Sequence, residues 1–283
     1  MRLVKRKKGR NEYYYLQHSS RIKNKVITKE IYLGEKIPEN INEIKLRFYK
    51  DITRDINEKL EKIRLNFQKE WKKIPEIQKE KEKQEISIAF TYNTNAIEGS
   101  TITLEETREI IEDKIAPNKG LNDIKETEKH NKIFLEMLDK KAKITDDLIL
   151  NWHKRIFEET KTGIAGKYRE YLVRVGSYIA PDWQDVKKLM KELIKFINKA
   201  EINSVELAAR AHFKFEKIHP FGDGNGRIGR LIMNNILWTE GYPMLIIEYK
   251  KRNSYYKAFK GDEEQFVKYF IRRYLSVHKK RLN

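Results

Sequence analysis

The sequence predicts a mainly α-helical protein with two small β elements, and three features carry that reading. Ile52, Ile56, Leu60, Ile63, Phe67, Trp71 and Ile74 step by four or three, the spacing of one helical stripe. From about residue 84 onward, apolar periods alternate with helix caps and stops. β-Prone residues gather in only two places, residues 12–34 and 171–175.

Composition bounds the answer. A chain of 283 residues suffices for one large domain or two small ones. Its 39% hydrophobic and 11% aromatic residues supply a core, which excludes a disordered chain. No stretch approaches the roughly 18 to 20 apolar residues of a membrane span, so no membrane partner is expected. The start, Met1-Arg-Leu-Val-Lys-Arg-Lys-Lys8, lacks the apolar segment of a secretory signal. Cysteine is absent. That excludes a disulfide scaffold, a thiolate metal site and a cysteine nucleophile, and fits a reducing, cytoplasmic compartment. Of six histidines, only His212 and His219 are close in sequence, and no pair has the short helical spacing of a zinc site. The 60 basic and 42 acidic residues leave a net charge of +18. Such a chain suits nucleotides, nucleic acid or an acidic protein. Its Lys-, Glu- and Ile-rich composition equally resembles thermophile surfaces laced with ion pairs.

The elements follow in order. Residues 1–10 read as a basic arm, and residues 12–34 as a small hairpin around the polar stretch His18–Asn24, closed by Gly34 and Pro38. Residues 42–74 read as one long helix ended by Pro75; its stripe packs on the chain's own core or forms an oligomer seam. A helix over residues 85–97 stops at Gly99. Thr103-Leu-Glu-Glu106 is a capping box opening a helix through Ile115. Helices over residues 122–139 and 145–159 follow. Gly163, Gly166 and Gly176 then punctuate Tyr171-Leu-Val-Arg-Val175, an exposed hairpin or flap. Helices resume over residues 184–199, 204–217, 225–240 and 263–279. The chain divides into residues 1–38, a helical segment 39–83 and a larger domain 84–283.

The segment rich in chemistry is His219-Pro-Phe-Gly-Asp-Gly-Asn-Gly-Arg-Ile-Gly-Arg230. Its clustered glycines suit a tight loop rather than a helix interior, where each costs about 1 kcal/mol against Ala. A loop of this kind feeding a helix N-terminus cradles a phosphate. Asn225 can donate its amide to a phosphate oxygen. Arg227 and Arg230, three apart, share a helix face and can grip a polyphosphate. Asp223 in that place asks for a cation, which points to Mg²⁺ held by one carboxylate and phosphate oxygens. His219 is placed as a general base. The loop is neither a Walker A loop nor a dinucleotide fingerprint.

This run resembles the Fic (Fido) family signature, H-x-F-x-D/E-G-N-G-R-x-x-R, at every fixed position. The resemblance extends over roughly residues 84–275. It implies a Fic-type helical bundle with a β-hairpin flap, and an enzyme that transfers AMP from ATP to a hydroxyl of a target protein. By position it makes His219 the base, Asp223 the Mg²⁺ ligand, and Gly224, Asn225 and Gly226 the anion hole. Arg227 would hold the α/β-phosphates, Arg230 the γ-phosphate, and Phe221 would anchor the loop. Thr94-Asn-Ala-Ile-Glu-Gly99 resembles the family's inhibitory motif, S/T-x-x-x-E-G/N, on a helix at about residues 85–99. There Glu98 would pair with Arg230 and force ATP into an unproductive pose. Gly166-Lys-Tyr-Arg169 and Val173-Arg-Val-Gly-Ser-Tyr-Ile179 resemble the flap that docks the target along residues 170–180. Val175, Gly176, Ser177 and Tyr178 would border the nucleotide, and Tyr255 and Tyr256 resemble adenine-pocket aromatics.

Other readings stay open at this level. The same site suits removal of AMP, or transfer of UMP or phosphate. A non-catalytic module that binds nucleotide or nucleic acid is a further reading. His212 reads as a core or second-layer histidine. The N-terminal hairpin permits binding of nucleic acid or protein, or serves as a stabilising appendage. A homodimer is possible, with the long helix contributing.

Overall fold

The computed structural model describes residues 1–22 and 25–283. It divides into two compact units, residues 1–61 and 62–283.

The first unit is a three-stranded antiparallel sheet and the N-terminal part of a long helix. Its strands are β1 (Arg2–Lys8), β2 (Asn11–Ile22) and β3 (Lys25–Gly34), in the order β1-β2-β3. The first ten residues are therefore not a free arm: Arg6 stands opposite Tyr13 and Arg2 opposite Gln17 in a regular ladder. Most of the polar stretch expected to separate two strands is itself strand. The Ser19–Thr28 side-chain bond at 2.9 Å extends the β2–β3 ladder through it. Lys23 and Asn24 of that stretch lie outside the described residues. Helix α1 (Ile41–Lys73) covers one sheet face. Leu16, Leu33 and Phe48 form the small core there, with Tyr14, Ile31, Ile41, Ile44 and Ile52 around them.

Within the second unit, the end of the α1 stripe is buried at Ile63 and Phe67. Phe67 and Trp71 pack on Trp238, with ring centroids 5.8 and 5.3 Å away. Ile56, by contrast, is exposed, and Ile74 falls beyond the helix. Pro75 both stops α1 and starts α2 (Glu76–Ile97), which begins nine residues earlier than its apolar pattern suggests. A proline tolerates the first turn because no intrahelical acceptor is needed for its missing N–H.

The capping box at Thr103 forms as expected: Glu106 N–H donates to the Thr103 hydroxyl at 3.1 Å and Thr103 N–H to the Glu106 carboxylate at 2.7 Å. It opens α3 (Leu104–Arg108), which widens into a π-turn over Glu109–Asp113. Then come α4 (Leu121–Lys140), α5 (Asp146–Phe157), the short hairpin β4 (Arg174–Val175) and β5 (Tyr178–Ile179), α6 (Val186–Lys199), α7 (Ser204–Ile218), α8 (Asn225–Thr239), α9 (Arg252–Phe259) and α10 (Glu263–Val277). The segment α9 lacks a clear apolar period and was not expected as an element of its own.

Helix α8 is the centre of this unit. Every residue from Asn225 to Trp238 is buried. A helix closed on all sides needs small or apolar residues all round, or polar ones with partners. Leu231, Ile232, Met233, Ile236 and Leu237 meet the first condition. Asn234 meets the second by bonding the backbone of Leu245 in both directions. Helices α2, α4, α5 and α7 pack around α8.

Candidate active site

The loop between α7 and α8 carries the site. His219 ends α7 in the left-handed region, at φ 50°. Gly224, at φ 76°, precedes the first residue of α8. The turn is braced from inside. Asn225 accepts from Phe221 N–H at 2.9 Å and donates to the Phe221 carbonyl at 2.8 Å. Its amide is thus a strut of the loop, with one N–H spent on the Phe221 carbonyl. Phe221 is fully buried, as its anchoring role requires, and stacks on His153 with centroids 3.8 Å apart.

His153, on α5, was not singled out from the sequence. Its Nδ1 accepts from Gly166 N–H at 2.9 Å, so its Nε2 carries the proton and donates to the Asp223 carbonyl at 3.0 Å. Burial lowers its pKa to about 4, which keeps it neutral. Arg169 is a second unforeseen brace. Its guanidinium donates to the carbonyls of His219 at 2.9 Å, Tyr171 at 2.7 Å and Pro181 at 2.7 Å. One buried side chain thus ties the flap to the loop of His219.

The charged groups converge on a polar cleft of about 180 Å³, lined by Glu98, Asp123, Glu126, Lys161, Asp223 and Arg227 among others. Asp223 pairs with Lys161 at 3.2 Å, and Lys161 reaches Glu126 at 2.6 Å. Burial opposes ionisation of Asp223, but Lys161 and the Gly224 N–H hold its carboxyl below the usual range. Arg227 is ion-paired to Glu126, with its guanidinium 4.4 Å above the Phe157 ring. Its Nε has no partner among the described residues. Because α8 starts at Asn225, the N–H groups of its first turn have no intrahelical acceptor.

Glu98 caps the end of α2 and meets Arg230 at 2.6 Å. Arg230 is fully buried and also donates to the Thr94 hydroxyl at 2.7 Å and the Thr94 carbonyl at 3.1 Å. The first and fifth residues of Thr94-Asn-Ala-Ile-Glu98 thus share one guanidinium. Behind it lies Glu216, one turn before His219, with the nearest carboxylate oxygen 3.9 Å from His219 Nδ1. Desolvation pushes its pKa up to about 8, so it is protonated at neutral pH. No spacing rule pointed to Glu216, Glu126 or Lys161.

His219 itself is mostly buried, and burial lowers its pKa below the ordinary value. His212 is a core residue, as expected, with Nε2 2.6 Å from the Tyr255 hydroxyl. That contact corrects one expectation: Tyr255 is 2% exposed and offers no free face to a base. Tyr256 keeps an exposed ring and donates to the Ile97 carbonyl at 2.8 Å. On the flap, Tyr178 donates to the Lys217 carbonyl at 2.8 Å and lies under the Lys217 ammonium. It anchors the hairpin. Val175, Gly176 and Ser177 form the exposed tip, and none of the four lines the cleft among the described residues.

Comparison with known proteins agrees with this geometry. The model of the Fic/DOC family matches residues 143–237. Curated relatives named protein adenylyltransferase Fic are similar to the chain. The one from Nematostella vectensis is 35% identical over 64% of this chain and 45% of its own length. The one from Drosophila erecta is 36% identical over 67% of this chain and 40% of its own. The chain therefore spans less than half the length of these relatives. A solved Fic-1 structure from C. elegans superposes with a TM-score of 0.70 at 25% identity, covering 86% of this chain and 75% of that one. A Fic-domain-containing signaling protein from Bacteroides thetaiotaomicron superposes at 0.67 with 24% identity, covering 79% and 96%. With the motif loop, the buried α8 and the flap in place, residues 143–237 are a Fic/DOC-family domain.

Proposed function

We propose that this protein transfers AMP from ATP to a Ser, Thr or Tyr hydroxyl of a target protein, and that Glu98 restrains the reaction. The observation that carries the reading is the 219–230 loop. It brings the ionised Asp223 carboxylate and the Arg227 guanidinium to one polar cleft that Glu98 also lines, with the neutral His219 imidazole at the start of the same loop and the N-terminus of α8 at its end. The shared name of the curated relatives supports AMP as the group transferred.

The chemistry follows from these residues. Neutral His219 takes the proton of the target hydroxyl. The hydroxyl oxygen bonds to the α-phosphorus as the bond to the leaving pyrophosphate breaks. The N–H groups opening α8 stabilise charge on the phosphate oxygens. Before this step, as ATP binds, Arg227 and Arg230 exchange Glu126 and Glu98 for phosphates, which suit a guanidinium fork equally well. Asp223 fits Mg²⁺: it is a single carboxylate on a polar rim, and the Lys161 ammonium already supplies it with a positive neighbour. When bound, the ion would neutralise phosphate charge beside Asp223.

The restraint is a competition. Glu98 holds the guanidinium that a third phosphate needs, and Thr94 fixes that guanidinium in place. The flap suits a target segment added as a strand, since β4 and β5 are short and Leu172, Val175 and Ile179 stand exposed beside them.

Intact-protein mass after incubation with ATP and Mg²⁺, alone and with cell extract, tests the reading. Label should appear on chain or target with Glu98→Gly, be weak in the wild type and be absent in Glu98→Gly/His219→Ala. Label that survives His219→Ala removes the base. Equal label in wild type and Glu98→Gly removes the restraint.

A further inference from the structure

We propose that the open face of the β1–β3 sheet binds single-stranded nucleic acid, with Tyr13, Tyr15 and Tyr32 as the stacking platform. The sheet has one face closed by α1 through Leu16, Leu33 and Phe48. Alternation then sends the neighbouring residues to the other face. There the ladder brings Tyr15 opposite Tyr32, and Arg2, Val4 and Arg6 line the adjoining edge of β1.

That face is unusual in content. Tyr32 lies between Tyr13 and Tyr15, with ring centroids 6.1 and 5.3 Å away, and is 56% exposed. The Arg6 guanidinium sits 4.5 Å over the Tyr15 ring. Grouped phenol rings offer π-faces on which bases of any sequence stack.

The charge distribution selects the partner. Residues 1–34 hold ten Lys or Arg and two acidic residues, so eight of the chain's eighteen net positive charges lie in its first eighth. Thermal adaptation through ion-pair networks needs both signs together, and here acids are nearly missing. The two present are already neutralised: Glu30 by Arg6 at 2.7 Å and Glu12 by Lys5 at 2.6 Å. Lys29 reaches Asp51 on α1 at 3.4 Å. With Arg2 and Arg6 on the tyrosine face itself, a segment of this charge complements a strand that presents phosphates and unstacked bases together. An acidic protein segment would use the charge but leave the tyrosines without a role.

The test uses the full chain and a fluorescent oligo(dT) of about 20 nucleotides, read by anisotropy, with salt raised from about 50 to about 200 mM. The expected result is salt-dependent binding in which Tyr32→Ala weakens affinity about five- to a hundred-fold while Tyr32→Phe stays near wild type. Arg2→Glu should weaken it and flatten the salt dependence. Because Tyr32 is exposed, Tyr32→Ala should keep the wild-type circular dichroism. Three outcomes overturn the proposal: no binding at the lowest salt, Tyr32→Ala binding as well as wild type, or equal capture of duplex DNA or polyglutamate. The last two would reduce the face to a generic cationic surface.

Discussion

Arg230 is held by Glu98 and by both oxygens of Thr94, so the residue expected to read the third phosphate also fastens the last turn of α2. A fully buried guanidinium is tolerable only when its donors are met, and α2 meets those of Nε and Nη2. Occupancy of Arg230 by Glu98 is thus also a packing contact between α2 and α8. Arg230→Ala should therefore lower stability as well as loosen nucleotide. We expect a loss of about 2–4 kcal/mol in chemical denaturation, below the full cost of a broken buried pair because Glu98 keeps some access to water. Glu98→Gln, which keeps an acceptor for the guanidinium, should cost under about 1.5 kcal/mol. Unchanged nucleotide affinity in Arg230→Ala would exclude the γ-phosphate role.

The pH profile of transfer should place the acid limb below the ordinary histidine value of about 6.5. His219 acts as base only when neutral. Burial favours the neutral form, so activity is retained to lower pH and is lost as pH falls through the depressed pKa. Pre-steady-state rates with Glu98→Gly against pH would show this. An acid limb above about 7 would assign the base to another group.

Stability should fall steeply on mild acidification, for a related reason. Burial lowers the pKa of His153 and His278 to about 4 and of His212 to about 3, and it holds His130 well below its ordinary value. Unfolded, each takes a proton near 6.5. Their stabilising contribution is complete above that pH and declines as pH falls. Glu216 works in the opposite sense: with its pKa raised to about 8, it releases a proton on unfolding at pH above about 4.5. Near pH 5.5 the balance is an uptake of about three protons on unfolding, a slope of about 4 kcal/mol per pH unit. Denaturant midpoints measured between pH 7 and pH 5 should reveal it. A flat profile would mean these histidines are not neutral in the fold.

Asn225 provides a sharper test of how the loop is held. Asn225→Ala removes both bonds to Phe221 and leaves a buried N–H and carbonyl unmet, at about 1–3 kcal/mol each at most. Transfer should fall with kcat more than with the KM for ATP, since both side-chain bonds brace the loop backbone at Phe221. Asn225→Asp keeps the acceptor and loses the donor, and adds a buried charge near Asp223. It should be worse than Ala for nucleotide binding. If both variants changed only the KM for ATP, the amide would be a ligand contact after all.

The sequence made some of this legible and hid the rest, for physical reasons. Caps, stops and the 3.6-residue period are local, so Thr103–Glu106 and the long helix α1 could be read directly. The 219–230 loop is contiguous, so its glycines and charges announced an anion site. Glu98 and Arg230 are 132 residues apart, and only the motif resemblance joined them. Glu126, Lys161 and His153 had no such signal, and the flap resemblance that included Arg169 gave it no bracing role. Each is a polar residue in an ordinary helix or turn, and its role arises when α4, α5 and the flap pack against the loop. Strand β1 was missed because a run of Lys and Arg has low strand propensity by itself. Its pairing with the tyrosine-rich β2 overrides that preference.

Two glycines with similar backbone angles separate strain from space. Gly176, at the flap tip, has φ +60° and no atom within 4 Å of where a Cβ would stand. Gly176→Ala should therefore cost only left-handed strain, about 1 kcal/mol, and leave the fold intact. Gly224 has φ +76°, and a Cβ there would overlap the ring of Phe157. That ring is fully buried and lies under the Arg227 guanidinium, so it has nowhere to go without disturbing Arg227. Gly224→Ala should add overpacking to the strain, about 2–5 kcal/mol together, and abolish transfer. Thermal denaturation of the two variants side by side decides the matter. Equal shifts would mean that the ring yields and that the Gly224 turn is more pliant than its packing implies.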